Sequence, residues 1–338
     1  MSLENHASGF HMTKVHTLHV IAGLFVFFAA LNFPIKALKK FSGLGMVLAL
    51  VMLLLVLTPG IGHSAGGAQR WIAFGPFRFQ PGELVKLLAI VYFSGYIARH
   101  GSKMRHLLPG TIVPFVVIGA LGFLLLLEPD FGSTAIVTGV VLSQLFTVSR
   151  ISHLIGAGVM GGIAAASLIY SSPYRLRRLE AFLNPLENAS GSGYQLVQSL
   201  VAISSGGISG EGLGAGRQKL FYLPAAHTDF IFSMIAEELG FAGCITIIMV
   251  FMVIAYRGLS IASRLRADSF SSSLAVGLTM LLVLPALLNI GVVSGVLPTK
   301  GLVLPLVAYG GTAMVVNLAI MGLLVALSRQ SGVVENNA

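Results

Sequence analysis

The sequence predicts an all-α integral membrane protein, a polytopic bundle of about nine transmembrane helices with one long polar loop. Three observations predict it. Of the 338 residues, 55% are hydrophobic and only 10% are charged, where a soluble domain carries roughly 25% charged residues. The mean hydropathy is +0.88. Segments 43–57 and 244–255 are apolar on every side of a helix, which suits lipid better than the two-faced surroundings of a soluble helix.

The candidate spans, each near the roughly 20 residues that a bilayer core requires, are 15–33, 43–58, 82–98, 107–127, 131–149, 151–170, 229–256, 272–296 and 302–328. No internal repeat or low-complexity stretch separates them. The expectation is a single membrane domain over 1–338, with a long loop at about 171–228. Residues 1–13 are polar, and the first apolar run has no small-residue cleavage site after it, so it is read as a span that stays. Cys244, the single cysteine, lies inside an apolar run. It excludes an intrachain disulfide and reads as a small apolar helix residue.

Charge sorts the loops. The formal net charge of +9 marks no nucleic-acid surface, because the basic residues fall between apolar runs and not among aromatics. Lys36, Lys39, Lys40, Arg99, Lys103, Arg105, Arg150, Arg257, Arg264, Arg266 and Arg329 share one set of short loops or the tail, which the positive-inside rule places in the cytoplasm. The C-terminus is then inside and, with nine spans, the N-terminus outside. Glu83, Glu128, Asp130, Glu180, Glu187, Glu211, Asp229, Glu237 and Glu238 fall at or near the outer face. The long outer loop carries Arg175, Arg177, Arg178, Arg217 and Lys219, and long loops escape the rule. Opposed charges beside a membrane suit a substrate with an anionic headgroup; they also suit a solvated loop with scattered ion pairs.

Four places interrupt or border apolar helices with polar groups, and ionisable residues at membrane depth are functional candidates. The first is Arg70-Trp71 followed by Gln80-Pro81-Gly82-Glu83, with Lys86 one turn on. Pro81 suits a first helical turn, and Glu83 and Lys86 share a face, as a local ion pair or as a charged pair facing a cavity. The second is Glu128-Pro129-Asp130, two carboxylates around a proline, readable as a turn in which Asp130 caps the next helix or as acid/base or cation-holding groups. The third is the outer loop. There Gln195 and Gln198 lie three apart beside Leu196 and Leu200, as in a short interfacial helix. The glycine-rich stretch 204–216 follows, without the lysine and hydroxyl of a P-loop, and reads as flexible backbone. The fourth is His227-Thr228-Asp229-Phe230 running on to Glu237-Glu238. Thr228 or Asp229 reads as a helix cap. The two glutamates lie roughly 12 Å deeper along the helix, with Lys86 or Lys300 as expected partners. The nine histidines form no metal-ligand spacing.

These motifs together resemble the SEDS (shape, elongation, division, sporulation) family, also called FtsW/RodA/SpoVE, over about residues 15–330. The resemblance rests on many motifs in the family's order. They are Arg70-Trp71, Phe79-Gln80-Pro81-x-Glu83-x-x-Lys86, Glu128-Pro129-Asp130-Phe131-Gly132 and Gly193-Tyr194-Gln195-x-x-Gln198-Ser199. Gln218-Lys219-Leu220-Phe221-Tyr222-Leu223-Pro224, His227-Thr228-Asp229-Phe230, Glu237-Glu238-Leu239-Gly240, Pro298-Thr299-Lys300-Gly301 and Tyr309-Gly310-Gly311 follow. The wording at 218–224 is nearer to the division branch than to the elongation branch, and the sporulation branch is also close.

The resemblance implies a peptidoglycan glycosyltransferase that polymerises lipid II into glycan strands at the outer face of the bacterial cytoplasmic membrane, for septal wall synthesis in division. It implies Asp229 as the essential base. Arg70, Lys86, Arg217 and Lys219 are candidates for offsetting leaving-group charge, and Glu83, Asp130, Gln195, Gln198, His227, Thr228 and Lys300 are further substrate-binding candidates. A divalent cation, magnesium or manganese, is implied, as are a class B penicillin-binding protein transpeptidase, other division proteins and membrane lipids as partners. Gly82, Gly216 and Ala308 stand where relatives usually have serine, and Ala225 where division members often have glutamate. The sequence begins just before what would be the family's second span. Two readings of another class compete: a lipid II flippase, in which buried carboxylates relay protons, and a scaffold that only activates a partner synthase.

Overall fold

A computed structural model describes residues 11–65, 68–74, 77–171, 176–177, 180, 182–187, 189, 191, 193–216 and 227–336. The expected site residues Arg217 and Lys219 lie outside the described residues, as do Arg175, Arg178, Ala225 and the motif 218–224.

The described residues are mostly helical. The helices are α1 (His11–Leu31), α2 (Ile35–Leu57), α3 (Pro81–His100), α4 (Val113–Leu127), α5 (Phe131–Phe146), α6 (Ile151–Tyr170), α7 (Tyr194–Gly206), α8 (Ile231–Arg264), α9 (Ser269–Val293) and α10 (Gly311–Asn336). Among the described residues, seven helical stretches are long and apolar enough to cross a membrane. Two shorter apolar ones, Phe131–Phe146 and Ile151–Ile163, stand at the remaining expected places. Some bounds differ from expectation. Helix α2 starts directly after Pro34, so Lys36, Lys39 and Lys40 sit in its first turns and not in a loop. Residues 301–310 are not helical, and α10 begins at Gly311 instead of 302. Pro305 lacks the amide hydrogen that a helix there would need, and Leu306 adopts a positive φ of 64°.

The chain divides into two compact units. One comprises Thr13–Ala157, Ile254–Leu284 and Gly311–Ala338, the other Met1–Met12, Gly158–Val253 and Pro285–Gly310.

In the first unit α3 is the central helix, buried on nearly every side. Helix α2 offers it a stripe: Ser42, Met46, Ala49, Leu53 and Val56 are buried at intervals of three or four, the spacing of one helical face, with Leu50 and Met52 partly buried beside them. Phe93 and Ile97 of α3, Leu121 and Leu125 of α4, and Val141 and Leu145 of α5 pack into the same cluster. One polar knot sits inside this apolar mass. The side-chain amide of Gln144 donates to Ser94 Oγ at 2.8 Å and to the Ser273 carbonyl at 3.1 Å, linking α5 to α3 and α9. Gly277 leaves room for it, since a Cβ there would lie 2.6 Å from Gln144 Nε2.

A small antiparallel sheet, not anticipated from the sequence, precedes α3. Strand β1 (Gly62–Ala65) pairs with β2 (Ala68–Phe74), and β2 with β3 (Phe77–Phe79). His63 lies opposite Trp71, and Ala73 opposite Arg78. The sequence signal available for a hairpin was the pair of glycine-containing dipeptides Gly66-Gly67 and Gly75-Pro76, the second between two phenylalanines.

The second unit is organised around a break in α8. Gly240 sits inside that helix with φ 63° and ψ −160°, a region open only to glycine. The glycine-rich segment after α7 docks on the break. The amides of Glu211 and Gly212 donate to the carbonyls of Glu237 and Glu238 at 2.9 and 3.1 Å. Phe241 and Ala242 donate back to Gly207 and Ile208 at 3.0 and 3.4 Å. A Cβ on Gly210 would lie 2.2 Å from the Glu238 carbonyl oxygen, and one on Gly206 1.9 Å from that of Ala236. The glycines at 206 and 210 are therefore required by close backbone approach. The stretch read as flexible backbone is a docked loop, because its own amides serve the carbonyls that the helix break releases.

Candidate active site

The turn 227–230 leads into α8 and carries Asp229. Its ends are fixed. Phe230 is buried, and the amide of Tyr309 donates to the His227 carbonyl at 3.0 Å. His227 is exposed, and Thr228 and Asp229 are half-buried. Helix α8 starts at Ile231, so Asp229 stands two residues before it. Its carboxylate is seated against Gly301, where a Cβ would lie 2.5 Å from Oδ2. Lys300, half-buried, is the neighbour of that glycine.

Behind the turn lies Asn289 of α9, 1% exposed. Its Nδ2 donates to the Asp229 carbonyl at 2.7 Å and also to the Leu302 carbonyl. One amide thus joins the turn 227–230 to the loop that follows Lys300. Asn289 and Gly301 were not among the expected site residues. The signal for Asn289 was an amide inside an otherwise apolar span.

Gln195 and Gln198 lie half-buried on α7, the short helix expected there, while Leu196 and Ser199 form its buried side. Ser199 Oγ donates to the Val293 carbonyl at 2.7 Å, which holds α7 to the end of α9. Glu237 is 1% exposed. Its Oε2 lies where a Cβ on Gly216 would come within 2.9 Å, so glycine at 216 makes room for that carboxylate. Glu238 Oε2 accepts from the Gly214 amide at 3.0 Å, and this glutamate helps hold the docked loop.

The other expected residues belong to the first unit. Lys86, expected as a partner of Glu237 or Glu238, is instead paired with Glu83 at 2.8 Å, since the two lie one turn apart on α3. Pro81 takes the first helical turn of α3, as its fixed φ favours. Arg70 donates through Nε to the Glu128 carbonyl at 3.1 Å and through Nη2 to that of Pro129. Asp130 caps α5: it accepts from the Ser133 amide at 3.2 Å and from Ser133 Oγ at 2.6 Å. A Cβ on Gly82 would lie 3.8 Å from Asp130 Oδ2, so the first turn of α3 abuts this cap. Glu128 is 1% exposed, and its Oε1 has no hydrogen-bond partner among the described residues. Burial, then the neighbouring Asp130, push its carboxyl up to about 8, against the opposing pull of Arg70.

The long apolar helices define a polytopic membrane protein. The chain belongs to the FtsW/RodA/SpoVE family, described as "Cell cycle protein", whose model matches residues 1–332. The probable peptidoglycan glycosyltransferase FtsW of Legionella pneumophila is 41% identical over 325 residues, covering 95% of this chain and 82% of that protein. The same-named protein of Coxiella burnetii is 40% identical over 327 residues, covering 95% and 87%. Among solved structures, one described as the structural coordination of polymerization and crosslinking by a peptidoglycan synthase complex matches with a TM-score of 0.78. It shares 25% identity and covers 95% of this chain and 90% of that one. Rod shape determining protein RodA of Thermus thermophilus matches with a TM-score of 0.68 at 25% identity, covering 94% and 87%.

Proposed function

We propose that this peptidoglycan glycosyltransferase polymerises lipid II at the outer face of the bacterial cytoplasmic membrane, in septal wall synthesis, with Asp229 as general base. The observation that carries the residue assignment is the seat of Asp229. Asp229 is half-buried on a fixed turn, its carboxylate against Gly301, the neighbour of Lys300. The basic bias of the short loops supports an outer position for this turn.

In this reading the 4-hydroxyl of the acceptor sugar gives its proton to an Asp229 carboxylate oxygen. The hydroxyl oxygen forms a bond to the anomeric carbon of the donor. The bond from that carbon to the pyrophosphate breaks, and undecaprenyl pyrophosphate leaves with the electron pair. Positive groups must offset its charge. Lys86 is paired with Glu83, and Arg70 is bonded to main-chain carbonyls. Lys300, next to the Gly301 against which the Asp229 carboxylate sits, is the cation assigned to the anionic leaving group. The divalent cation implied by the resemblance has no donor set among the described residues, where no three histidine, cysteine or acidic side chains converge. The partner assigned is a class B penicillin-binding protein transpeptidase, which would crosslink the strands as they form.

The test is purified protein with labelled lipid II. Wild type is expected to make glycan polymer, and Asp229→Asn to fold and bind lipid II but make none. Polymerisation by Asp229→Asn at near wild-type rate would remove Asp229 from the chemistry. Transbilayer movement of lipid II without polymer, by wild type, would favour the flippase.

A further inference from the structure

We propose that Asn289 and Gly301 form a two-part seat that positions the Asp229 carboxylate, Asn289 by tying the turn to the loop and Gly301 by leaving the space the carboxylate fills. The proposal rests on the reading of Asp229 as the base.

Both amide hydrogens of Asn289 are committed, one to the Asp229 carbonyl and one to the Leu302 carbonyl. These carbonyls belong to segments far apart in sequence, and the residue between Lys300 and Leu302 is Gly301 itself. Holding the two carbonyls on one nitrogen brings the Asp229 side chain onto the Gly301 α-carbon. Tyr309 adds a second tie at His227, so the turn is held on both sides of Asp229. Burial makes the amide directional: at 1% exposure, water does not compete for its hydrogens. Gly301 is not among the glycines held at a positive φ, so the left-handed region does not demand glycine there. What the position does not tolerate is volume, because a Cβ would lie 2.5 Å from Oδ2 of Asp229, well inside van der Waals contact.

The two residues give separable tests. Gly301→Ala leaves the Asn289 hydrogen bonds in place and adds no backbone strain; it displaces the carboxylate. Asn289→Ala cuts the tie and leaves two carbonyls without their donor. A base moved by about 1 Å loses rate rather than affinity, on the order of tenfold to a hundredfold. The experiment measures kcat and KM for lipid II polymerisation, with thermal stability in detergent, for Gly301→Ala, Asn289→Ala and Asp229→Asn. The expected result is an inactive Asp229→Asn, with Gly301→Ala at least about tenfold down in kcat at wild-type KM and melting temperature. Asn289→Ala should show the same fall in kcat with a lower melting temperature; if it does not fold, Gly301→Ala carries the test. Wild-type kcat in Gly301→Ala beside an inactive Asp229→Asn would overturn the seat and leave the base standing. Loss of kcat together with KM and stability in Gly301→Ala would also overturn it, as a general packing defect. Activity in Asp229→Asn would remove the base and the seat with it.

Discussion

Lys86 and Glu83 hold each other at 2.8 Å, with 9% and 12% of their side chains exposed. So enclosed a pair is costly to split, since removing one partner leaves a buried charge uncompensated, at about 3 kcal/mol or more. Removing both strands nothing. Glu83→Ala and Lys86→Ala should therefore each lower the melting temperature in detergent more than the double variant does. Equal stability of all three would mean that the pair is solvated.

Glu128 gives a pH signature. Its carboxyl has a pKa of about 8 in the fold against an ordinary 4.5, so the folded chain keeps a proton that the unfolded chain has released. Stability is then lost as pH rises from about 4.5 to about 8 and levels off beyond. Glu128→Gln keeps the shape and the neutral charge and should abolish that loss, gaining most above pH 8. Parallel melting curves for wild type and Glu128→Gln across this range would refute the shift. Asp130, which Ser133 holds through two hydrogen bonds, is expected to stay a cap, and Asp130→Asn should leave the Glu128 signature in place though weakened.

The apolar bundle was legible because long uninterrupted hydrophobic runs need no partner to be recognised. The Glu83–Lys86 pair and the Asp130 cap were legible because their partners lie three residues away. The seat of Asp229 was not. Asn289 meets carbonyls 60 and 13 residues away, and a carbonyl carries no sequence signature. The glycine-rich segment misled for the same reason: its glycines answer to main-chain atoms at 236–240, and composition alone cannot tell a loop that docks from one that does not. Lys86 was offered to Glu237 or Glu238 of α8, but a partner one turn away on the same helix costs far less ordering to reach.

Nothing in the structure requires glycine at position 82, one of the departures from the family pattern. A Cβ at this position has only ordinary contacts, 3.7 Å from Ser133 Oγ and 3.8 Å from Asp130 Oδ2. A serine would fit in the first turn of α3, place its hydroxyl within reach of that cap, and reduce the freedom of the unfolded chain. Gly82→Ser should raise stability by about 0.5–1 kcal/mol. At position 216 the outcome should reverse, because the added carbon meets the Glu237 carboxylate at 2.9 Å. If Gly216→Ser proved as stabilising as Gly82→Ser, the tight fit around Glu237 would be wrong.

Gly240 is the point at which α8 gives up its own hydrogen bonds to hold another segment. Its φ of 63° and ψ of −160° exclude an L side chain at a cost of about 1–3 kcal/mol, and a Cβ would also lie 2.4 Å from the Gly210 amide nitrogen. Alanine has two ways to respond. It can endure the strain, or it can let the helix run on through 240. A continuous helix would draw the carbonyls of Glu237 and Glu238 back into its ladder and leave the amides of Glu211 and Gly212 without acceptors. Either response weakens the docking of 206–216. Gly156 supplies the control: it lies inside α6 with nothing within 4 Å of a built Cβ, so alanine there brings only its better helix propensity. Gly240→Ala should therefore melt lower than wild type and expose 206–216 to limited proteolysis, while Gly156→Ala melts no lower. Similar melting and cleavage of the two variants would show that α8 is not broken at Gly240 to receive the loop.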